Sequence, residues 1–223
     1  MKDNIAKIIF IIFDVIIITF SIYLSYIIRG EFEHLGYNSV PLGQYFDFYP
    51  LLLVPILLFA YEGIYTYRYD FWHESRLIIK GIIFSTIIIF AYLAMTKMII
   101  DYSRFVIGIA FLIMMILIPL SKNISKKILY KLGLWQKKAK IYGNDPFLKD
   151  EIYGNPYLGY VKPNAHEKHS TVFVNSKESD IATLRKVISS EIKAERRLFL
   201  FRLWMIMTSR IRIFMISPIR VQI

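Results

Sequence analysis

Asp14 is the first residue of this chain whose type and position could perform chemistry. It stands within an apolar run, Ile5 to Ile28, that is otherwise interrupted by Lys7 and a few hydroxyl groups. An acid inside a membrane helix often marks an ion path; otherwise it pairs with a polar group on a neighbouring helix or reaches the interface. Because one isolated carboxylate provides no proton relay, we expect Asp14 to be paired or interfacial.

His166 and His169 are the second candidate group, since they lie close together in a polar segment. The chain has no cysteine, which excludes disulfides, thiolate metal sites and a cysteine nucleophile. Two histidines in a polar loop are more often solvated than bound to a metal. We therefore expect no metal site, and we assign no catalytic residue from the sequence.

A turn at Gly143-Asn144-Asp145-Pro146 follows a short predicted strand at residues 140–143. In parallel α/β domains the first strand-to-helix turn often binds a nucleotide. Here the turn lacks the spacing GxGxxG, and no Walker-type lysine follows it. We favour a structural role over ligand binding, and the cofactor-binding residues remain unknown.

Apolar and charged residues are distributed unevenly along the chain. Of its 223 residues 56% are hydrophobic, against about 45–50% in a typical soluble domain. The apolar excess precedes Leu120 and most of the charge follows it, which predicts a membrane domain and a smaller polar domain. The net charge is +11. No recognition motif accompanies it, so we predict contact with anionic lipids and no nucleic acid.

Four apolar stretches are long enough to cross a bilayer. The first lacks a cleavage site for a signal peptidase, so we interpret it as a retained helix. Pro50 and Pro55 lie in the second stretch and are expected to bend it. The four predicted spans are residues 5–28, 45–65, 77–100 and 105–120.

Basic residues in the loops predict the orientation of these spans. The loop after the first span has no basic cluster, whereas the loop after the second contains Arg68, Arg76 and Lys80. A run of lysines without any acid follows the fourth span. Since cytoplasmic loops are enriched in Lys and Arg, the amino terminus and everything after Leu120 are predicted to be cytoplasmic.

Charged residues at the ends of the spans have structural interpretations. Lys97, Asp101 and Arg104 lie at the turn between the third and fourth spans, where they are expected to mark the turn and cap the helix ends. Glu62, near the inner end of the second span, is a candidate partner of Arg68.

The lysines after the fourth span alternate with apolar residues such as Ile124 and Ile128. This pattern predicts a short amphipathic helix on the inner membrane surface. Trp135 is expected to be an interfacial anchor at its end.

The polar half alternates between strand and helix patterns. Strands are predicted at 140–143, 159–161, 171–175 and 197–201, and helices at 147–153 and 181–192. This alternation predicts a small parallel α/β domain.

The fold class expected is therefore an α-helical membrane protein with about four transmembrane helices, followed by a small, incomplete α/β Rossmann-like cytoplasmic domain. Residues 1–121 form the four-helix transmembrane domain. Residues 122–138 form the basic juxtamembrane helix, and 139–197 form the partial α/β domain. Residues 198–223 form an aberrant tail.

Several ordered features resemble polyprenyl-phosphate hexose-1-phosphate transferases of the undecaprenyl-phosphate galactose phosphotransferase type. The resemblance covers roughly residues 1–195 and concerns only the amino-terminal membrane half of those enzymes. Its features are Tyr61-Glu62-Gly63-Ile64-Tyr65, Arg68, Phe71-Trp72, Glu74, Ile78-Ile79-Lys80, Tyr102-Ser103-Arg104, and the runs KKAKIYG and NPYLGYVKP. In that family the last stretch opens a Rossmann-like domain called CoA-binding-like.

The resemblance implies a multi-pass protein of the bacterial inner membrane that acts in O-antigen, lipopolysaccharide, capsule or exopolysaccharide synthesis. Such enzymes transfer a sugar phosphate from a UDP-sugar to undecaprenyl phosphate, using Mg²⁺ and a carboxyl-terminal catalytic domain with an Asp-Glu pair. No position here matches a catalytic residue of that domain, so we expect this chain to be inactive alone. The partners implied are undecaprenyl phosphate, glycan-assembly proteins and a second copy of the chain.

The tail from Leu198 onward is apolar and basic, without acid or glycine. It suits neither a soluble strand-helix unit nor a spanning helix. We interpret it as the product of a reading-frame shift near Arg196, since an alternative frame turns residues 204–208 into an acidic stretch that resembles the family's continuation. Genomic DNA without such a frame would contradict this interpretation.

Two other functions stay open. The chain could be the amino-terminal half of a membrane nucleotide-sugar dehydratase or epimerase, since those enzymes have a similar four-span region; a downstream GxxGxxG and Tyr-x-x-x-Lys would identify it. It could instead be a non-enzymatic scaffold that copurifies with glycan-synthesis proteins. A transporter is disfavoured, because one intramembrane acid without an inverted repeat offers no substrate path.

Overall fold

The computed structural model describes residues 2–31, 41–97, 102–143, 145–164, 171–175 and 197–201. The chain divides into two compact units, Met1–Trp135 and Gln136–Ile223. The first unit is helical and the second contains a parallel sheet, so the predicted fold class is confirmed.

The helical unit contains the four predicted spans. Within the described residues its helices are α1 (Lys2–Gly30), α2 (Leu42–Asp47), α3 (Pro50–Tyr61), α4 (Phe71–Met95) and α5 (Arg104–Lys131). Helices α1, α4 and α5 are each long and apolar enough to cross a membrane, and so is the stretch Leu42–Tyr61 that α2 and α3 make together. The chain is therefore a membrane protein.

The second span is interrupted between its two helices, and the bend predicted at its prolines stays a prediction. Helix α2 ends at Asp47, and α3 begins at Pro50. Proline has no backbone N–H and a fixed φ, so it suits the first position of a helix. Pro55 lies inside α3, as predicted.

Helix α4 begins earlier than hydropathy predicts. The side chain of Asp70 accepts hydrogen bonds from the backbone N–H groups of Trp72 and His73, both at 3.2 Å. This N-cap satisfies donors that the first turn would otherwise leave unpaired. The helix therefore starts at Phe71, six residues before the apolar run that marks the span in the sequence.

Helix α5 corrects the prediction of a separate amphipathic helix on the membrane surface. It runs without a break from Arg104 to Lys131 and so includes both the fourth span and most of residues 122–138. Nothing in residues 121–131 stops a helix, since that stretch contains no proline or glycine. The fall in hydropathy after Leu120 marks a change of surroundings, not the end of the helix.

The exposed surface of the bundle is apolar, as a lipid-facing surface must be. On α1, Ile8, Ile12 and Ile16 are each more than half exposed. Apolar side chains such as Phe10 and Ile18 fill the interior between the helices. Buried polar residues lie among them, and these form the candidate site.

Among the described residues, the second unit has four parallel strands in the order β2-β1-β3-β4. They are β1 (Lys137–Tyr142), β2 (Tyr160–Val161), β3 (Thr171–Asn175) and β4 (Arg197–Phe201), with α6 (Pro146–Tyr153) between β1 and β2. Strands β3 and β4 have the predicted bounds. The small core of the unit packs Ala139, Leu148 and Phe173 together.

Strand β4 continues past the domain boundary predicted at residue 197, because the apolar run from Leu198 to Phe201 pairs with β3. The predicted helix 181–192 and the rest of the tail, residues 202–223, lie outside the described residues. The other domain boundaries stay predictions.

Candidate functional site

Buried charged side chains from three helices meet at the end of the bundle where α5 ends. Asp14 comes from α1, Glu74 from the first turn of α4, and Lys122 and Lys126 from α5, and all four are at most 1% exposed. Charges this deeply buried need partners, because removing an ion from water costs several kcal/mol. We name these four residues the charge cluster.

Asp14 is paired, as the sequence predicts. The ammonium group of Lys122 lies 2.7 Å from Asp14 Oδ2 and donates a hydrogen bond to it. The hydroxyl group of Tyr65, in the loop between α3 and α4, donates to the same oxygen at 2.6 Å. The other oxygen, Asp14 Oδ1, is buried and has no hydrogen-bond partner among the residues that the structure describes. The carboxylate thus joins α1 and α5 to the α3–α4 loop.

Glu74 and Lys126 form a second buried ion pair in which the ammonium group donates to Glu74 Oε2. Lys122 and Lys126 are four residues apart, so both project from the same side of α5. One lysine reaches α1 and the other reaches α4. The two pairs together therefore connect three of the four spans.

Arg68 and Trp135 pack against each other beside the charge cluster. The guanidinium group of Arg68 lies 3.8 Å from the ring centroid of Trp135, and its Nη1 donates to the Trp135 carbonyl oxygen at 3.3 Å. The ring of Phe10 meets Trp135 edge-on at 5.0 Å. Trp135 is only 4% exposed. The prediction that Trp135 anchors the chain at the lipid interface is therefore wrong, because its ring packs inside the protein against Arg68 and Phe10.

Tyr65 acts as a neutral donor. Burial raises the pKa of its phenol well above its ordinary value, and the neighbouring negative charge of Asp14 raises this pKa further. The hydroxyl group therefore keeps its proton and donates a hydrogen bond to the carboxylate of Asp14. A phenol in this state cannot serve as a general base at neutral pH.

The opposite end of the bundle buries polar groups among aromatic rings. The Tyr45 hydroxyl accepts hydrogen bonds from Arg29 Nη1 at 3.5 Å and from the Ser103 backbone N–H at 3.1 Å. The ring of Tyr45 packs edge-on against Tyr26 and Tyr102. We name this group the aromatic cluster.

Other charged residues differ in part from the predictions. Glu62 pairs with Lys80 at 2.8 Å and not with Arg68, because the first turns of α4 place Lys80 beside the end of α3. Lys97 adopts a positive φ of 59° just after α4, in keeping with its predicted place at a turn. Asp101, His166 and His169 lie outside the described residues.

A side chain in the turn after β1 caps the amino terminus of α6. The side chain of Asp145 accepts hydrogen bonds from the N–H groups of Phe147 at 3.0 Å and Leu148 at 3.4 Å. Those are the donors that a phosphate would use at a helix N-terminus. Gly143 has a φ of 121°, a conformation that favours glycine. Ligand binding here stays a prediction.

The sequence identifies Asp14 but not the partners that give the charge cluster its structure. In the described part of the chain no three His, Cys, Asp or Glu side chains are grouped so that they could hold a metal ion. The cluster as built can hold helices together and fix the α3–α4 loop. Each of its carboxylates is engaged by a lysine.

Comparison with known proteins supports one family. No protein-family model matches the chain. The chain is similar to the undecaprenyl-phosphate galactose phosphotransferase of Salmonella typhimurium. The two are 38% identical over 80 residues, which are 36% of this chain and 16% of the relative. The match therefore agrees with the resemblance noted in the sequence, over a small part of the relative.

Proposed function

We propose that this chain is the membrane part of an undecaprenyl-phosphate sugar phosphotransferase that initiates glycan synthesis at the bacterial inner membrane. The observation that carries the proposal is the 38% identity, over 80 residues, to an enzyme whose name states that activity. Four helices of the length and composition of membrane spans support it, because a substrate with a long polyprenyl chain resides in the bilayer. The glycan is an O-antigen, a capsule or an exopolysaccharide.

The end of the bundle that contains the charge cluster faces the cytoplasm in this proposal. The long basic segment after Leu120 leaves from that end, and the α3–α4 loop with Arg68 lies there too. Basic residues concentrate on the cytoplasmic side of membrane proteins. A UDP-sugar donor would meet the lipid phosphate on that same side.

The described bundle has a scaffolding role and does not catalyse the transfer. Asp14 and Glu74 are its buried carboxylates, and each accepts a hydrogen bond from a lysine. A carboxylate that already neutralises a buried lysine is poorly placed to bind Mg²⁺, because the ion would have to displace the ammonium group. The ion pairs instead hold α1, α4 and α5 in one arrangement.

A segment exchange tests the proposal. The 80 matched residues of this chain replace their counterparts in the Salmonella enzyme. Membranes with the chimera receive UDP-hexoses, undecaprenyl phosphate and Mg²⁺, and the release of UMP is scored. We expect the chimera to retain release within a few-fold of its parent. A control chimera carries an unrelated segment of equal length and mean hydropathy.

A chimera that inserts normally but is as inactive as the control would contradict the proposed function. Membranes that contain only this chain provide a separate check. We expect no UMP from them, because no position of this chain matches a catalytic residue of the family and the cluster carboxylates are engaged by lysines. Clear release would show that residues assigned here to structure take part in catalysis.

A further inference from the structure

The last three turns of α5 have two faces of opposite character. At 100° per residue, two groups of residues separate around the helix. The inward face is buried and consists of Lys122, Ser125, Lys126 and Leu129. The outward face is exposed and consists of Ile124, Lys127, Ile128 and Lys131, with Leu132 directly after the helix.

The four lysines of this segment have different surroundings. Lys122 and Lys126 point inward and are neutralised by Asp14 and Glu74. Lys127 and Lys131 point outward, and no acid among the described residues forms an ion pair with either of them. Their charges are available to a partner outside the bundle.

The apolar residues beside these lysines are also turned outward. Ile124 is 59% exposed, Ile128 44% and Leu132 66%. A helix on a water-soluble protein turns such residues inward. Where a spanning helix leaves the bilayer, lysines extend toward the headgroups while apolar side chains stay at the acyl boundary.

Helix α4 independently indicates that this level of the bundle is at the membrane boundary. The contact between Glu74 and Lys126 brings the first turn of α4 beside this part of α5. In that turn Trp72 is 76% exposed, and Arg76, one turn later, is exposed as well. Tryptophan and arginine side chains are enriched where a helix leaves the hydrocarbon.

We propose that the outward face at the end of α5, together with Leu132, binds the headgroups of anionic phospholipids in the leaflet where α5 ends. The ammonium groups of Lys127 and Lys131 contact lipid phosphates, and the three apolar side chains enter the acyl boundary beneath them. Charge complementarity supports an anionic partner, because Lys127 and Lys131 are exposed and residues 121–143 contain no acid. This inference does not rest on a role in sugar transfer.

Spin-labelled lipids test this surface directly. The full chain is reconstituted in phosphatidylcholine bilayers with trace spin-labelled phosphatidylglycerol or phosphatidylcholine, and the motionally restricted fraction of each is compared. We expect the wild type to prefer phosphatidylglycerol. Lys127→Gln/Lys131→Gln should lower this preference, by roughly fivefold for each lysine. Salt of about 1 M should remove it, because the Debye length falls to about 3 Å.

A matched double variant, Lys140→Gln/Lys162→Gln, removes two exposed positive charges from the second unit. It should leave the preference unchanged. Lys127→Arg/Lys131→Arg should also keep it, and thermal unfolding confirms that each variant is folded. An unaltered preference after Lys127→Gln/Lys131→Gln, or an equal loss in the control, would overturn the proposal.

Discussion

The two ends of the bundle bury polar groups in different ways. The charge cluster neutralises two acids with two lysines inside the protein. The aromatic cluster packs rings against the ring of Tyr45 and satisfies its hydroxyl group with one guanidinium N–H and one backbone N–H. Breaking a buried ion pair leaves a charge without its counter-charge, whereas removing the Tyr45 hydroxyl removes only a neutral acceptor, one of whose two donors is as far away as 3.5 Å. The charge cluster should therefore determine the stability of the fold far more than the aromatic cluster does.

Removal of one partner from the Glu74–Lys126 pair should have the largest effect. Glu74→Leu leaves the Lys126 ammonium group buried without its counter-charge, which costs about 3–5 kcal/mol. Thermal unfolding of the purified chain in detergent measures the loss. Lys80→Met is the matched control, since Lys80 is paired but half exposed, and such a pair is worth about 0–1 kcal/mol.

The double variant Glu74→Leu/Lys126→Met decides why the pair matters. It removes both charges and retains similar volume, so it should recover most of the stability lost in the single variant. A double variant as unstable as Glu74→Leu would mean that mutual neutralisation is not what the pair provides. The contrast between the two ends would then fail.

Tyr65→Phe should have the next largest effect. It removes the hydroxyl group that donates to Asp14 Oδ2 at 2.6 Å. A hydrogen bond to a charged group is worth about 1.5–3 kcal/mol, and thermal unfolding should show a loss of this size. Tyr92→Phe is a suitable control, because its ring packs on Phe48 while the side chain is 44% exposed. Equal losses in both variants would contradict a specific role for Tyr65.

Alkaline pH offers a smaller and continuous test of the same contact. The pKa of the Tyr65 phenol is raised in the folded chain, chiefly by burial and then by Asp14, from an ordinary value of 10.0. Above pH 10 the unfolded chain loses this proton while the folded chain keeps it. The stability contributed by Tyr65 is thus complete below pH 10 and falls at higher pH, by about 1.4 kcal/mol per unit.

The comparison of wild type with Tyr65→Phe isolates this effect from the other tyrosines. Melting temperatures between pH 8 and pH 11 provide the measurement. The advantage of the wild type should be constant up to about pH 10 and then shrink. An advantage that persists unchanged above pH 10 would show that the phenol ionises equally in both states.

The two ends also differ in how far the sequence predicts them. Hydropathy locates all four spans. The bounds of β3 and β4 are predicted correctly, because polar residues flank both apolar runs. The pairing of Asp14 follows from the cost of a lone buried acid. Its partner does not, because Lys122 is 108 positions away along the chain. Lysines in a basic run are typically assigned to the surface, and only the packing of α1 and α4 against α5 shows which of them turn inward.

Tyr45→Phe should have the smallest effect and completes the comparison. It deprives Arg29 and the Ser103 N–H of one acceptor while keeping the ring against Tyr102. The bond from the Ser103 N–H is a typical one, worth about 1 kcal/mol, and the Arg29 contact is long at 3.5 Å and adds little, so we expect a loss of roughly 1 kcal/mol in thermal unfolding. Tyr26→Phe is the matched control, since Tyr26 contributes its ring to the same cluster. A loss comparable to that of Glu74→Leu would show that the aromatic cluster, too, holds a charge that depends on one partner, and the distinction between the two ends would disappear.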